Sequence, residues 1–212
     1  MHCDDAFPFA TGLRRRFLIG FFGLTALSPV PLHAQDLSTR VVEQWHAALL
    51  DVMRQARSLS VQGRYDQLKP VMDVCFDLPT MTRIAIGPLW PSIVPDQQAA
   101  LTQAFSEWSI ATYASRFNGF SGESFITSGE TELRNGDRMV RTALNRPSNN
   151  PVQLNYLLRR TGNAWRVVDV YLAGSISELA SRRADFSGLL TEGGPARLVA
   201  ELRRRSTILL QG

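Results

Sequence analysis

Residues 151–172 have the sequence PVQLNYLLRRTGNAWRVVDVYL, and the rest of the predicted fold is arranged around them. Apolar side chains occupy every second position from Val152 to Leu158, and the turn Thr161-Gly162-Asn163 follows. The second half alternates as well, with Trp165, Val167, Asp169 and Tyr171 on one face and Arg166, Val168, Val170 and Leu172 on the other. A period of two, rich in Val, Tyr and Trp, indicates half-buried strands. We therefore predict two antiparallel strands, the second covered on both faces.

Two further strands precede this pair. Residues 123–134 and 138–144 flank Asn135-Gly136, which is the strongest short signal for a β-hairpin. A polar loop, residues 145–150, leads into the opening pair. Short connections favour neighbouring antiparallel strands, so the sequence predicts a four-stranded meander.

Helical periodicity surrounds these strands. We predict four helices before the sheet and two after it, at residues 37–59, 63–75, 80–86, 95–117, 177–190 and 196–210. Gly193-Gly194-Pro195 separates the last two. The fold class is therefore α+β: N-terminal helices, a four-stranded antiparallel, cone-shaped (NTF2-like) sheet, and two C-terminal helices, with an apolar cavity between sheet and helices.

The helix at 95–117 is apolar on two sides. One stripe contains Leu101, Ala104, Phe105, Trp108 and Thr112, and Ile110, Tyr113 and Phe117 point nearly opposite. A helix of this kind lies buried between two layers. Its C-terminal half is therefore predicted to separate the core from the cavity.

The N-terminus has the pattern of an export signal. Three arginines, at positions 14–16, precede an apolar run at 17–27, and Ala34 ends a plausible cleavage site. We predict a secretory signal peptide at 1–34, read by the general secretion route or by the twin-arginine route, and one mature domain at 35–212. The mature chain would keep Cys75 and His46 as its one cysteine and one histidine, which excludes an internal disulfide and a Cys/His zinc site.

Composition and motifs argue against two broad functions. The net charge of +4 comes almost entirely from arginine, suits contact with anionic surfaces and is too small to indicate nucleic-acid binding. Cys75 lies on an apolar stripe, and His46 is predicted to be exposed, so a thiol–imidazole pair is not expected. The remaining pocket-enzyme hypothesis uses Asp169 with Tyr156 or Tyr171, without a nearby histidine.

Arg183 interrupts an apolar helical face, since it falls among Leu179, Phe186 and Leu190. A buried guanidinium needs a partner, and Asp169 is the predicted one, with Glu132 second. The pair would either lock helix to sheet or hold an anionic or hydroxyl-bearing head group. The run at 203–205 is interpreted as a solvated face or as a contact with an anionic membrane or partner.

Scattered residues give the chain a family resemblance. They are Phe76-Asp77-Leu78-Pro79-x-Met81-x-Arg83, Trp90, Gln97-Gln98, Phe105, Tyr113, Trp165-Arg166-Val167-Val168-Asp169-Val170, Gly174, Arg183-x-x-Phe186 and Gly193-Gly194. Together they resemble the MlaC-type periplasmic lipid-binding family, also called the toluene-tolerance auxiliary family. Residues 169–183 look most similar to its hopanoid-associated HpnM branch. Arg182 and Tyr171-Leu172-Ala173 depart from the usual pattern, which leaves head group and partner open.

The resemblance implies a periplasmic, non-enzymatic carrier. It would shelter lipid tails between sheet and helices, pass the lipid between inner-membrane and outer-membrane transporter components, and need no cofactor besides the bound lipid. A hopanoid or related polycyclic lipid is the first expectation. A glycerophospholipid shuttle of an ABC-type retrograde system, a non-catalytic transporter adaptor and the pocket enzyme follow in that order. The predicted lining residues are Phe76, Ile84, Trp108, Ile110, Tyr113, Phe117, Leu154, Tyr156 and Val168.

Overall fold

Helices, an antiparallel sheet and a final long helix follow one another along the chain. The computed structural model describes residues 37–211, so the predicted signal peptide at 1–34 lies outside the described residues. The first helices are α1 (Leu37–Arg54), α2 (Val61–Cys75), α3 (Leu78–Ile86), a 3-10 helix (Gly87–Ser92) and α4 (Pro95–Arg116). The sheet and last helix are β1 (Ser124–Glu132), β2 (Arg138–Arg146), β3 (Asn149–Thr161), β4 (Ala164–Leu172), β5 (Ile176–Ser177) and α5 (Glu178–Leu210).

The sheet has five strands where the sequence predicted four. Their spatial order is β1-β2-β3-β4-β5, and each pair is antiparallel, as a meander requires. The additional strand is only two residues long, with Ile176 opposite Leu172 and Ser177 opposite Tyr171. A strand this short carries no alternation that a sequence could show.

A β-bulge in β4 corrects the predicted alternation. Leu157 pairs with Asp169, but Leu158 pairs with Val167, which leaves Val168 without a partner in β3. An extra residue reverses the faces on its two sides. Val167 and Val170 therefore both belong to the core cluster, which Val168 does not join although it is fully buried.

The predicted polar loop at 145–150 is largely strand. Arg146, the last residue of β2, pairs with Asn149, the first of β3, so only two residues connect them. The Arg146 guanidinium donates to the Asn150 carbonyl oxygen at 2.7 Å. This contact closes a tighter hairpin than the polar composition indicated.

Two of the helices differ in detail from the prediction. The first ends at Arg54 rather than near residue 59, and its buried stripe includes Val42. The two predicted C-terminal helices are joined in α5, but Gly193 and Gly194 have non-helical backbone angles and divide it where expected. At Gly194 φ is +67°, a conformation that favours glycine. Among the described helices, none is long and apolar enough to cross a membrane.

Asp77 fixes the junction between helices and sheet. Its backbone N–H donates to the Val167 carbonyl oxygen at 2.9 Å, next to a single bridge between Phe76 and Val167. Its carboxylate accepts from the Thr80 N–H at 3.0 Å, which caps α3. The same carboxylate accepts from Thr161 at 3.1 Å. The Phe-Asp-Leu-Pro motif thus ties α2 and α3 to β3 and β4.

Candidate functional site

A cavity of about 480 Å³ lies between the sheet and the C-terminal half of α4. The volume falls within the range of about 300–1,000 Å³ that ligand pockets occupy. Its lining comes from α1, α4, β2, β3, β4 and the start of α5: Met53, Thr112, Tyr113, Arg116, Phe117, Asn118, Gly119, Ser121, Glu123, Leu144, Arg146, Val152, Leu154, Leu172 and Glu178. We call this space the main cavity.

Strand register explains the apolar wall. Leu144 of β2 lies opposite Val152 of β3, and Leu154 of β3 lies opposite Leu172 of β4. Cross-strand neighbours share a face, so these four side chains form one continuous apolar surface beneath the sheet. Met53 of α1 extends it.

The polar part of the lining marks the mouth. Arg116, Asn118, Gly119 and Ser121 are all exposed, and they come from the last turn of α4 and the turn that follows it. Solvent therefore reaches the main cavity at this end. An apolar interior with a polar rim suits an amphiphilic molecule that enters with its hydrocarbon first.

Tyr113 stands between the main cavity and a smaller void. The void holds about 30 Å³, and Thr112, Tyr113 and Glu178 border both spaces. The Tyr113 ring stacks on Phe117 with centroids 5.8 Å apart and meets Trp45 edge-on at 5.0 Å. Burial raises the pKa of its phenol well above the usual value, so the hydroxyl stays neutral.

The structure separates the predicted lining residues into three groups. Tyr113, Phe117 and Leu154 line the main cavity. Phe76 and Trp108 line the smaller void instead, together with Tyr113. The other four lie elsewhere: Ile84, Ile110, Tyr156 and Val168 are not among the lining residues of either space. Their part in holding lipid stays a prediction without a geometric basis.

His46 is buried, which corrects its predicted exposure. Only 4% of the residue is accessible, its ring stacks on Phe125 at 3.9 Å, and its Nε2 lies 3.1 Å from the Tyr156 hydroxyl. Burial lowers the pKa of the imidazole to about 3, so the ring is neutral at physiological pH. Burial also raises the pKa of Tyr156. The expectation that no histidine lies near Tyr156 was therefore wrong.

The predicted ion pair between Arg183 and Asp169 is absent, and Arg183 is exposed rather than buried. Its Nε and Nη2 donate to the Ile84 carbonyl oxygen at 3.1 and 2.6 Å. Arg183 therefore caps the C-terminus of α3, where a cation also suits the helix dipole. Gly87, the residue that follows the last residue of α3, has φ +73°, and the Arg183 Nε lies 2.9 Å from the position a Cβ would take there. Neither Asp169 nor Glu132 is the partner.

Asp169 instead anchors the start of α5. Its carboxylate accepts from Ser177 Oγ at 2.6 Å and from the backbone N–H groups of Val170 and Leu179 at 2.8 and 3.3 Å. Burial raises the pKa of this carboxyl, and the hydrogen bond from Ser177 opposes that rise. Its acceptors are engaged, and it does not line the main cavity. Among residues 37–211 no group of three acidic, histidine or cysteine side chains is placed to hold a metal ion.

Several lining residues were missed from the sequence. Leu144, Val152 and Leu172 follow the strand alternation and could have been found from it. Met53 lies one helical turn after Leu49 on the buried side of α1. Thr112 lies on a helical stripe that the sequence showed but was not chosen as a lining residue. Arg116 and Glu178 carry no such signal, because polar lining residues look like ordinary surface residues.

Comparisons with known proteins agree with this geometry. The chain matches the sequence model of a family described as MlaC protein over residues 43–204. No curated protein matches the chain. A solved structure of a phospholipid-binding protein from Ralstonia solanacearum, in complex with a phospholipid, is similar at a TM-score of 0.71. The two chains are 22% identical, and the match covers 81% of this chain and 98% of the other. At that identity the similarity shows the fold, which supports an MlaC-type α+β fold rather than the NTF2-like detail.

Proposed function

The chain belongs to the MlaC protein family, and on that premise we propose that it is a periplasmic lipid carrier. It holds the hydrocarbon of a lipid in the main cavity and passes the lipid between membranes. The observation that carries the proposal is the cavity itself, with its apolar wall under the sheet and its polar, exposed mouth.

The energetics of such a cavity suit reversible binding. Burying on the order of 400 Å² of hydrocarbon at about 25 cal/mol/Å² contributes roughly 10 kcal/mol. Association and ordering cost several kcal/mol. The remainder is enough to retain a lipid and small enough to release it at a membrane or a partner.

Two lipid classes fit this proposal. The resemblance of residues 169–183 to the hopanoid-associated branch favours a polycyclic lipid. The phospholipid bound by the solved neighbour favours a glycerophospholipid. The pocket-enzyme alternative lacks a comparable observation, because the Asp169 carboxylate is held by Ser177 and the Tyr156 hydroxyl by His46.

Export and partners follow from the same role. A signal peptide at 1–34 would deliver the mature domain to the periplasm by the general secretion or the twin-arginine route. Transporter components of the inner and outer membranes would supply and receive the lipid. An adaptor that works without lipid remains the rival non-enzymatic role, and the next experiment separates the two.

The test is to block the main cavity. Val152→Trp adds a large side chain to its wall while keeping a residue suited to strands. The matched control is Ile126→Trp, because Ile126 is 51% exposed on β1 and does not line the main cavity. Both variants and the parent protein are assayed for transfer of a fluorescent phospholipid between donor and acceptor vesicles.

We expect Val152→Trp to lower the transfer rate about tenfold or more, whereas Ile126→Trp keeps the parent rate. Thermal unfolding of both variants checks that each folds cooperatively. Equal transfer by the two tryptophan variants contradicts binding in the main cavity. No phospholipid transfer by the parent protein, together with no lipid bound to protein purified from its own host, contradicts the carrier and favours the adaptor.

A further inference from the structure

A second concave surface lies beside the main cavity. This groove, about 280 Å³ in volume, runs between the C-terminal half of α4 and the two ends of α5. Its lining consists of Trp108, Thr112, Arg116, Arg182, Arg205, Ile208 and Leu209. We call it the arginine groove.

The charge of the arginine groove is one-sided, because three arginines line it and no carboxylate does. Arg182 pairs with Glu178 at 2.9 Å and Arg205 with Glu201 at 2.7 Å, but neither glutamate belongs to the lining. The other described cavities that contain arginine also contain an acidic residue in their lining. Of these five cavities in the described part of the chain, the arginine groove is thus the one best suited to an anion.

Arg116 is the arginine of this groove whose N–H donors are available to a ligand. It is exposed and makes no hydrogen bond or ion pair with any residue of the described chain. A guanidinium has five N–H donors in a planar fork that matches the oxygens of a phosphate. Arg116 therefore meets an incoming anion without first breaking an internal contact.

The arginine groove shares lining residues with the main cavity, which is proposed to hold hydrocarbon, and with the smaller void. Thr112 and Arg116 also line the main cavity, and Trp108 and Arg182 also line the smaller void. The guanidinium of Arg182 lies 4.3 Å from the Trp108 ring centroid, and Ile208 is 54% exposed. The arginine groove therefore offers guanidinium groups for a polar head group beside the lining residues that it shares with the main cavity.

We propose that the arginine groove binds the phosphate of a lipid whose hydrocarbon occupies the main cavity, with Arg116 as its principal ligand. The inference rests on the proposed function and adds head-group chemistry to it. In this proposal Arg116 takes the head-group role that the sequence analysis gave to Arg183, because the Arg183 guanidinium donates to the Ile84 carbonyl oxygen. The proposal also orders the two lipid classes, since a neutral hydroxylated polycyclic lipid gains less from guanidinium groups than a lipid phosphate does.

The experiment compares two lipids that differ only in the phosphate. Dioleoylphosphatidic acid and dioleoylglycerol compete for the delipidated protein against a fluorescent diacylglycerol. The parent protein is expected to favour phosphatidic acid by about tenfold, the size of a charge-assisted hydrogen bond at a partly exposed site. In Arg116→Gln the ratio should fall most of the way to one, and in Arg205→Gln it should fall by a smaller factor.

Arg203→Gln is the control. Arg203 is exposed on α5, lies outside the arginine groove and loses the same charge on substitution. A ratio near one in the parent protein, or an equal fall in Arg203→Gln and Arg116→Gln, overturns the head-group site. If neither the fluorescent diacylglycerol nor phosphatidic acid binds, and protein purified from its own host holds no lipid, the carrier function itself is overturned. A third result would assign the arginine groove to free phosphate instead of a lipid head group. In that case inorganic phosphate binds Val152→Trp and the parent protein equally, and the parent protein shows no preference between the two lipids.

Discussion

Acidification should destabilise this protein through one buried imidazole. His46 is the only histidine in the described part of the chain, and burial lowers its pKa from 6.5 to about 3. Between these two values the unfolded chain binds a proton that the folded protein does not. The free energy of unfolding is therefore unaffected by this group above pH 6.5, and it decreases as the pH falls from 6.5 towards 3.

The size of the effect follows from the pKa difference. Each pH unit below 6.5 costs about 1.4 kcal/mol of unfolding free energy until the folded pKa is reached. At pH 5 the loss from His46 is therefore about 2 kcal/mol. The free energy of unfolding of a typical domain is roughly 5–15 kcal/mol, so a loss of this size is easily detected by denaturant unfolding.

The assay is urea unfolding of the delipidated protein, followed by tryptophan fluorescence at pH 7.5 and pH 5.0. His46→Gln keeps a polar group near Tyr156 but removes the titration, so its loss between the two pH values should be about 2 kcal/mol smaller. Tyr156→Phe is the control, because burial and not the tyrosine hydroxyl causes the low pKa. It should keep the full pH dependence. An equal pH-dependent loss in His46→Gln and in the parent protein would show that His46 does not cause the loss of stability.

Three further predictions concern other buried or capping groups. Arg183→Ala should cost about 1–2 kcal/mol in urea unfolding, because it removes two hydrogen bonds to the Ile84 carbonyl oxygen; an unchanged midpoint would exclude that cap. Burial raises the pKa of Cys75 to about 11, so iodoacetamide at pH 8 should alkylate it at least about tenfold more slowly in the folded protein than in urea. Rapid labelling of the folded protein would contradict its burial. Tyr113→Asp places a charge in the wall of the main cavity and should weaken lipid retention while unfolding stays cooperative; unchanged retention in native mass spectrometry would remove Tyr113 from the lining.

Regular periodicity made part of the fold predictable. The helix at Pro95–Arg116 is buried on two sides, as its two apolar stripes indicated, because the helical repeat places each residue on a known face. The hairpin at Asn135-Gly136 and the antiparallel order of the first four strands follow from local signals of the same kind.

Features without periodicity escaped prediction. The bulge at Val168 inserts one residue into an otherwise regular strand, and a run of valines gives no sign of where it lies. His46 lies on a helix, but its burial depends on Phe125 and Tyr156, which are distant in sequence. The partner of Arg183 is a backbone carbonyl, and every residue carries one, so no side-chain pattern points to it.

The candidate site shows the same division. Tyr113, Phe117 and Leu154 were found from helix and strand faces, whereas Phe76 and Trp108 proved to lie around a separate small void. The polar residues at the mouth went unnoticed, because sequence position does not show which surface residues converge on one opening. Their convergence is a tertiary property, produced by α4 ending over the sheet.

Whether the main cavity holds a lipid is best measured by native mass spectrometry of the protein purified from its own host. We expect a mass increment equal to that of one lipid, which organic solvent extracts and the Val152→Trp variant lacks. Protein that is ligand-free from the host and also takes up no lipid from vesicles would show that the main cavity does not hold hydrocarbon.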